Sequence, residues 1–548
     1  MQTLSDYDKM MNLNSLYEFF AYKAGVYAGN NVVQEYRDGR IFSHTYNELI
    51  NDVKIFGNYL IQRGVHKKHV SIIGNFGYEW TISFFALLYA NNVVVPIDGG
   101  LSNERIQGLL DFADVELVIA KQRKLSGGED FKPEGKSVLY YDDVLKIIAS
   151  DDYKEVSRVP DFQAPNPKSP AMIVFTSGTT GVSKGVLLSH GSILHNVIGT
   201  ISIIGEYMFL SNANTIVLLP LFHMYCITAG ILDVIYYGVS LCYSDNTIKD
   251  IDALLKTFKP VALVAVPQIV EGLHKKIWVT AKRAGKQDLL KKLIKVSRVL
   301  RKFRIDLRKI FFKQVLESFG KNFTIICGGA AANDVIVEEL IEMGILVLVG
   351  YGITECAPII SVNPPLKEKL GSVGLPVSAP FCQIRIKDGE ILVKGSIVMD
   401  GYYKNPQETK NVFDDGEWFK TGDLGSIDDD GYLYITGRIK NLIILSDGNN
   451  ISPEELELRI CQSPLIDSVV VFEEKRNQTP VLLASVYPDY QYCGANHIAD
   501  IRGEVLKLIE QVNTENPAYM KIYGVDIRDA PFEKTATGKI IRSAFINK

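Results

Sequence analysis

The amino-acid sequence predicts an α/β protein with two domains: a large N-terminal domain of mostly parallel sheets with helices plus a small antiparallel β region, and a small α+β C-terminal domain. Three observations predict this class. Apolar β-branched runs alternate with helical patterns over most of the chain, which is typical of parallel sheets. Asp-Gly turns after about residue 380 indicate antiparallel hairpins. After Arg438 the chain reads as a mixed pattern of helices and strands, and this part is long enough to form an independent domain.

The predicted strands are short apolar runs, and a helix is predicted to begin near Ser189. The stretch 207–232 contains no Asp, Glu, Lys or Arg. Pro220 and several Asn residues interrupt it, so it predicts a buried strand and helix rather than a membrane span. The strand runs lie at 93–96, 117–120, 172–175, 215–219, 261–266, 323–327 and 345–349.

Composition narrows the function classes. The chain has 548 residues, of which 47% are hydrophobic and 22% charged, as in ordinary globular proteins. A net charge of -4 gives no indication of a nucleic-acid partner. The seven cysteines lack Cys-x-x-Cys spacing, so we expect reduced thiols and no zinc site. The N-terminus shows no signal-peptide pattern, and a cytoplasmic location is expected.

The most informative segment is a Gly-, Thr- and Ser-rich loop that follows the strand at 172–175. Its glycines let backbone amides turn toward an anion, its hydroxyls can donate, and its lysine adds a mobile cation. The loop therefore predicts a triphosphate site, against the alternative of a flexible turn with an incidental lysine. Its members are Thr176, Ser177, Gly178, Thr179, Thr180, Gly181, Val182, Ser183, Lys184 and Gly185.

Four further motifs follow in order: Tyr-Gly-Ile-Thr-Glu at 351–355, Thr-Gly-Asp at 421–423, Gly-Arg-Ile-Lys at 437–440 and Thr-Gly-Lys at 537–539. With the loop, they resemble the adenylate-forming superfamily of acyl-CoA and aryl-CoA synthetases, luciferases and peptide-synthetase adenylation domains. The resemblance is closest to bacterial long-chain acyl-CoA synthetases. It implies the adenylate-forming enzyme fold, with an adenylation domain at 1–437 and a mobile domain at 438–548.

The resemblance implies roles for the loop and for the residues of the other motifs. The loop, including Lys184, would hold the β- and γ-phosphates of ATP. Glu355 would bind Mg²⁺, and Thr354 would contact the α-phosphate. The adenosine would be held by Tyr351, Gly352, Asp423 and Arg438, with Tyr351 on adenine and Asp423 on the ribose hydroxyls.

Lys539 is predicted to carry adenylation, because a cation between the substrate carboxylate and the α-phosphate offsets their repulsion. Taken singly, these residues also fit ordinary structural roles. Glu355 could be a surface ion-pair partner, Asp423 a turn residue and Lys539 an exposed C-terminal lysine.

The acyl and thiol sites are implied by weaker matches. His223 corresponds to the gate between acyl pocket and thiol tunnel, although a lone histidine is more often a core residue. Three residues, Gly328, Gly329 and Ala330, would line the acyl pocket. The domain hinge is placed at Lys440, and Gly448 would approach the pantetheine in the thiol tunnel.

The expected function is ATP- and Mg²⁺-dependent activation of a carboxylic acid to an acyl-adenylate, followed by transfer to the thiol of CoA with release of AMP. The expected acid is fatty or related and apolar. The alternatives are loading of a carrier protein's phosphopantetheine, a non-catalytic acyl or nucleotide sensor, and a luciferase-like oxygenase. The sensor predicts loss of one of the charged site residues, and all of them are present.

One segment departs from the neutral average. Residues 281–313 carry thirteen Lys or Arg against two Asp, interleaved with apolar residues at helical spacing. The pattern predicts a basic amphipathic helix pair that contacts an anionic membrane surface, the phosphates of CoA or an acidic carrier protein. A solvated helical face is the alternative.

Overall fold

The computed structural model describes residues 2–121, 131–153, 163–176, 184–205, 212–245, 247–320, 323–444, 450–476, 479–517, 520–534, 540–542 and 545. Over these ranges the protein has the predicted α/β class, with large sheets in the N-terminal part and a smaller C-terminal unit. The strands are β1 Asn31–Arg37, β2 Arg40–Thr45, β3 His69–Ile73, β4 Val93–Pro96, β5 Val115–Ala120, β6 Ser137–Tyr140, β7 Pro170–Thr176, β8 Lys184–Ser189, β9 Asn214–Ile216, β10 Ser240–Tyr243, β11 Ala262–Ala265, β12 Thr324–Cys327, β13 Leu346–Gly352, β14 Ile359–Val362, β15 Leu375–Pro376, β16 Gln383–Lys387, β17 Glu390–Lys394, β18 Gly401–Tyr402, β19 Phe413–Asp414, β20 Trp418–Ile427, β21 Leu433–Arg438, β22 Ile443–Ile444, β23 Asn450–Ile451, β24 Ile466–Arg476, β25 Thr479–Pro488 and β26 Ile522–Ile527.

Helices cover the sheets, and short 3₁₀ turns lie at Asp151–Tyr153, Thr354–Cys356 and Ile439–Asn441. A π-helix, Cys226–Leu232, precedes α8. The α-helices are α1 Gln2–Met11, α2 Leu16–Val26, α3 Tyr46–Gln62, α4 Tyr78–Tyr89, α5 Asn103–Phe112, α6 Tyr141–Ala149, α7 His190–Ile204, α8 Asp233–Tyr236, α9 Thr247–Phe258, α10 Pro267–Arg283, α11 Gln287–Lys302, α12 Arg308–Phe311, α13 Lys313–Phe319, α14 Asp334–Glu342, α15 Pro406–Asn411, α16 Pro453–Ile460, α17 Tyr490–Ala495 and α18 Ile501–Glu515.

Two large sheets form the N-terminal part. One has the order β15-β14-β13-β12-β11-β9-β10-β1-β2 and is parallel from β13 to β1. The other has the order β18-β8-β7-β4-β3-β5-β6 and is parallel from β7 to β6. Their central strands are buried on both faces, as the unbroken apolar run at Val93–Pro96 shows. The prediction of mostly parallel sheets is therefore confirmed.

A five-stranded antiparallel sheet follows, built from β16, β17, β19, β20 and β21. Its Asp388-Gly389 turn joins β16 to β17, as the hairpin pattern predicts, and both turn residues have positive φ. Beyond it, β24, β25 and β26 pack with α16 and α18 around a separate apolar cluster. The domain limits 1–437 and 438–548 remain a prediction.

Two predicted elements differ in their limits. The strand expected at 215–219 ends at Ile216, since Pro220 lacks the N–H of a ladder donor and the chain turns into the helix after His223. The basic helix pair predicted at 281–313 is the end of α10, all of α11 and the short α12; Gly285 separates α10 from α11 and Arg304 follows the end of α11, both with a positive φ that ends a helix. Among the described residues, none of the helices combines the length and hydropathy that crossing a membrane requires.

Helix α7 follows β8 and lies against both the π-helix and β14, so it connects the two large sheets. Ser189 caps it through a capping box with Ser192. His190, its first residue, is fully buried and accepts a hydrogen bond at Nδ1 from the backbone N–H of Leu16, at 3.2 Å. Burial lowers the pKa of His190 to about 4. The start of α7 therefore contains a neutral histidine that folding keeps unprotonated.

His190→Asn is predicted to flatten the pH dependence of stability. An unfolded histidine titrates near 6.5, so the folded state loses stability as the pH falls from about 6.5 to 4, by about 2 kcal/mol at pH 5. Asn retains an acceptor at the Nδ1 position but does not titrate. The measurement is urea unfolding at pH 7.5 and 5, followed by fluorescence of Trp80, Trp278 and Trp418.

His497→Asn is the matched control, because His497 is exposed and its positive φ suits Asn. This variant should keep the wild-type pH dependence. An unchanged slope in His190→Asn would contradict the assignment.

Candidate active site

The predicted triphosphate loop is flanked by β7 and β8, which pair antiparallel with Thr176 opposite Lys184. Both flanking residues are described. The five other predicted phosphate-binding positions lie outside the described residues, and their roles stay predictions. These positions are Ser177, Gly178, Thr179, Thr180 and Gly181.

Lys184 already has a counter-ion. Its Nζ forms an ion pair with Glu408 and lies 5.0 Å from the ring centroid of Tyr402. Glu408 lies in the first turn of α15, whose N-cap Asn405 accepts a hydrogen bond from the Glu408 N–H at 3.1 Å. The hydrogen bond from Lys184 lowers the pKa of Glu408. The cation thus faces a carboxylate that sequence reasoning missed, 224 residues away.

Glu355 lies in the 3₁₀ turn that follows β13. The Tyr402 hydroxyl donates to its Oε1 at 3.0 Å, and its backbone C=O accepts from the Met399 N–H at 2.8 Å. Burial raises the pKa of Glu355, and the charges of Lys184 and Arg438 oppose that shift. Tyr402 therefore links the predicted phosphate cation to the predicted metal ligand. Its position in β18, which pairs with β8, places it between them.

A second cluster forms around Asp423, whose residue is 2% exposed. The Tyr351 hydroxyl donates to Asp423 Oδ2 at 2.7 Å, and Arg438 Nε lies 2.8 Å from Oδ1. Asp423 and Arg438 are directly opposite each other in the β20–β21 pair. Burial, then the Asp423 charge, raises the pKa of Tyr351. The structure thus brings Tyr351, which lies 72 residues before Asp423, to the pair that Asp423 and Arg438 form across β20 and β21.

The backbone around Glu355 leaves no room for larger side chains. A Cβ on Gly352 would lie 2.0 Å from the Pro358 oxygen, so this position requires glycine. Thr354 lies in the same turn as Glu355, and its carbonyl accepts from the Ala357 N–H at 3.1 Å. Gly352, Thr354 and Glu355 are therefore presented by one tight turn at the end of a parallel strand, where α/β sheets bind ligands.

The side chain of Asn196 in α7 forms hydrogen bonds with the backbone of this turn. Its Nδ2 donates to the carbonyls of Cys356, at 2.9 Å, and Ile359, at 2.7 Å, while its Oδ1 accepts from the Ile359 N–H at 3.3 Å. Thr228 of the π-helix donates to the Ala357 carbonyl at 2.9 Å. Both side chains are fully buried. Sequence reasoning missed them, since nothing local in either helix indicates a partner more than 100 residues away.

The predicted acyl residues lie around the start of the π-helix. The His223 carbonyl accepts from the Cys226 N–H at 3.0 Å, and the His223 ring lies 4.5 Å from the Phe222 ring centroid. Gly328 faces Tyr225, because a Cβ there would lie 3.1 Å from the Tyr225 hydroxyl. That hydroxyl donates to the Ile326 carbonyl at 3.0 Å. Gly329 and Ala330 are exposed beside it, and Gly329 has a positive φ.

The C-terminal positions are described only in part. Lys440 lies in the 3₁₀ turn next to Arg438; burial, then the Arg438 charge, lowers its pKa. A Cβ on Gly437 would lie 2.2 Å from the Ser452 hydroxyl, so glycine permits the close approach of α16 to β21. Gly448 and Lys539 lie outside the described residues. Their roles in the thiol tunnel and in adenylation stay predictions.

The donor set suits a hard cation that binds together with phosphate. Glu355 supplies a carboxylate, and Mg²⁺ commonly takes one or two carboxylates plus phosphate oxygens. Across the described ranges, no three His, Cys, Asp or Glu side chains cluster as a metal site.

Comparison with known proteins agrees with this chemistry. The sequence model described as "AMP-binding enzyme" matches residues 21–403, and that described as "AMP-binding enzyme C-terminal domain" matches 440–548. The chain is 29% identical over 468 residues to the long-chain-fatty-acid–CoA ligase FadD15 of Mycobacterium tuberculosis, covering 80% of this chain and 77% of the relative. It is 28% identical over 489 residues to long-chain-fatty-acid–CoA ligase 5 of Rattus norvegicus, covering 81% and 71%.

Two solved structures share the fold. The anthranilate CoA ligase AuaEII in complex with anthranoyl-AMP superposes with a TM-score of 0.77 at 18% identity, covering 97% of both chains. The o-succinylbenzoate CoA synthetase MenE of Bacillus subtilis, in complex with ATP and magnesium ion, gives 0.73 at 21% identity, covering 96% of this chain and 98% of the other. The adenylate-forming enzyme fold is therefore confirmed.

Asn196→Ala is predicted to destabilise the protein by about 2 to 4 kcal/mol, because it leaves buried backbone groups of the Glu355 turn without partners. Urea unfolding followed by tryptophan fluorescence measures the loss. The control Asn51→Ala removes an exposed Asn from the interior of α3 and should change stability by less than about 0.5 kcal/mol. Equal effects of the two substitutions would contradict the anchoring role.

Proposed function

The chain belongs to the AMP-binding enzyme family and is an AMP-forming acid–CoA ligase, and on this premise we propose that its substrate is a fatty or related apolar carboxylic acid. The observation that carries the proposal is its similarity, over about four fifths of its length, to ligases named for long-chain fatty acids. The buried apolar residues Met224 and Ile227 beside His223 support it, since ligand pockets for apolar acids are lined in this way.

The fold itself does not select the acid. The structural neighbours are named for anthranilate and o-succinylbenzoate, and both superpose on this chain, with TM-scores of 0.77 and 0.73. The acid class therefore rests on the sequence relatives and on the side chains around His223, Gly328, Gly329 and Ala330. Tyr225 would limit the depth of an acyl pocket there, because its hydroxyl lies where a side chain at position 328 would begin.

The proposed reaction has two steps. In the first, a carboxylate oxygen of the acid attacks the α-phosphorus of ATP; the acyl O–P bond forms, the bond to the β-phosphate breaks, and pyrophosphate leaves. In the second, the sulfur of CoA attacks the acyl carbon; the C–S bond forms, the acyl C–O bond to the phosphate breaks, AMP leaves, and the thiol proton is released to solvent. The first step brings two anions together, so cationic side chains are needed at both ends of the triphosphate.

At the phosphate end, Lys184 would exchange Glu408 for the β- and γ-phosphates. The pair is partly exposed, which makes the carboxylate a replaceable partner. Mg²⁺, when bound, supplies charge that neutralises the phosphate oxygens, and Glu355 is the residue that would hold it. The Tyr402 hydroxyl donates to Oε1 of Glu355 and so orients the carboxylate that would hold the ion.

At the nucleoside end, Asp423 would accept from the ribose hydroxyls and Arg438 would assist it. The carboxylate is held in place from two sides, by Tyr351 and Arg438, before any ligand binds. The Tyr351 hydroxyl is fixed by Asp423, which leaves its ring to pack on adenine. Thr354, one residue before Glu355, would contact the α-phosphate, and Gly352 keeps that turn tight.

Lys539 would lie between the acid carboxylate and the α-phosphate in the first step, where it would also obstruct the thiol. Rotation of the C-terminal domain about Lys440 would remove it and bring Gly448 to the thiol tunnel. Lys440 supports this hinge by its position, between the last strand of the antiparallel sheet and the first strand of the C-terminal unit.

The experiment that tests the function is pyrophosphate release with ATP and Mg²⁺ across fatty, aryl and amino acids, each with CoA, with a holo-carrier protein or with neither. We expect pyrophosphate release to be fastest when a fatty acid and CoA are both present. Stimulation by the carrier alone would contradict CoA as acceptor, and preference for aryl or amino acids would contradict the acid class.

Lys539→Ala is predicted to lower the rate of acyl-adenylate formation about 10²- to 10³-fold, since one transition-state cation is lost. Thiolation of a supplied acyl-adenylate should stay within about twofold of wild type. The two half-reactions are measured separately, with Lys521→Ala as control because Lys521 is an exposed lysine of the same unit. Equal loss in both half-reactions would overturn the assigned role.

Glu408→Gln is predicted to lower the KM for ATP up to about fivefold with kcat unchanged, because Lys184 no longer has to leave a carboxylate. Steady-state kinetics at varied ATP and saturating acid and CoA measure this. Glu417→Gln, which removes the exposed partner of Lys394, is the matched control and should leave the KM unchanged. An unchanged or higher KM in Glu408→Gln would contradict the phosphate role of Lys184.

A further inference from the structure

An exposed apolar stripe runs along α11 and continues to α12. Among the described residues, Phe303 and Ile310 are the most exposed large hydrophobic side chains, at 72% and 71%. Such residues are normal singly, but a contiguous set indicates a binding surface. We call this set the apolar stripe; it comprises Leu289, Val296, Val299, Phe303, Ile305 and Ile310.

Four members of the apolar stripe form a second apolar face at α11 and its C-cap. Leu290, Ile294 and Ser297 are the buried positions of α11 and pack on the protein core. On the outer side, 289, 296, 299 and 303 recur at intervals of seven, three and four residues, so they share a single face. A helix that only covers a core needs the inner face alone. The outer face of α11 is therefore unexplained by the folding of the described chain.

The cations around α11 divide into two groups. Arg298, Arg301 and Arg308 pair with Glu338, Glu342 and Asp306 at 3.0, 2.6 and 2.7 Å. The second group is exposed and forms no ion pair within the described ranges. It comprises Lys291, Lys292, Lys295, Lys302, Arg304 and Lys309. Arg298 and Arg301 thus bind α11 to α14, whereas the partner of Arg308 lies within the same segment. In the second group, Lys292 and Lys295 lie seven and four residues before Val299 and therefore share its helix face.

We propose that α11 and the segment to Ile310 dock on an anionic lipid bilayer, with the apolar stripe in the interface and the second group of cations on the lipid phosphates. An amphipathic helix lies on a membrane in this way, with long lysines reaching to the headgroups. Lysine, a point charge on a flexible chain, suits a diffuse anionic surface, whereas arginine suits defined carboxylates. Here the paired arginines serve the fold and five of the six unpaired cations are lysines.

An acidic carrier protein would be attracted by the same charges. It would not require the row of exposed apolar side chains, since charge complementarity alone steers such encounters. The most exposed members, Phe303 and Ile310, project furthest into solvent, as insertion into an interface requires. The bilayer is therefore the occupant that accounts for both the charges and the stripe. The proposal does not rest on the identity of the acid.

The test is sedimentation of the full chain with phosphatidylcholine vesicles, with and without about one third phosphatidylglycerol. We expect at least about tenfold stronger partitioning to the anionic vesicles, reduced by salt. Phe303→Ser with Ile310→Ser should reduce partitioning about tenfold or more. The control pair Leu366→Ser with Tyr523→Ser removes equally exposed apolar side chains elsewhere and should bind as wild type does.

The charge is tested separately. Lys292→Gln with Lys295→Gln and Lys302→Gln should weaken binding to anionic vesicles and flatten its salt dependence. The control triple Lys54→Gln, Lys256→Gln and Lys521→Gln has the same net charge and should bind as wild type does.

Three results would overturn the proposal: no binding to anionic vesicles, wild-type binding by the Phe303 and Ile310 pair, or binding of a holo-carrier protein but not of vesicles. Turnover of a water-soluble acid without vesicles is measured on each variant, which separates failure of docking from failure of the ligase activity.

Discussion

One buried amide, Asn196, determines whether the two large sheets can build a common site. It lies on α7, which continues from the β8 strand that carries Lys184, and it binds the turn that carries Glu355 at the end of β13. Lys184 and Glu355 belong to different sheets, so neither strand alone fixes their separation. Separating a buried amide from its hydrogen-bond partners costs free energy, so this contact holds the relative position of the two sheets at the site.

The charged groups of the site are compensated before any ligand binds. Lys184 faces Glu408, Asp423 faces Arg438 and Tyr351, and the half-buried Glu355 accepts from Tyr402. Each arrangement avoids an isolated buried charge, which would be costly. In the proposed function these partners differ in their fate, since Glu408 would be displaced by phosphate whereas Tyr351 and Arg438 would stay and orient Asp423. The first pair is partly exposed and the second carboxylate is buried, consistent with that difference.

The basic segment illustrates how one helix can serve two surfaces. Two of its arginines, Arg298 and Arg301, bind Glu338 and Glu342 of α14, while exposed lysines and one row of apolar side chains lie on its surface. The sequence predicted amphipathic helices at 281–313, but it did not show which cations are internally paired. Only the pairing distinguishes a cationic face that stabilises the fold from one that remains available to a partner.

The sequence by itself determined the α/β class, because strand periodicity and Asp-Gly turns are local properties of the chain. The order of five short motifs, through their resemblance to the adenylate-forming superfamily, determined the family. The strand predicted at 215–219 is shorter in the structure, and Gly285 and Arg304 divide the basic segment into separate helices. Tertiary structure alone decided the partners: Glu408 for Lys184, Tyr402 for Glu355 and Asn196 for the turn behind it. These pairs are separated by 224, 47 and 160 residues, and no local pattern specifies a contact that exists only after distant strands have entered their sheets.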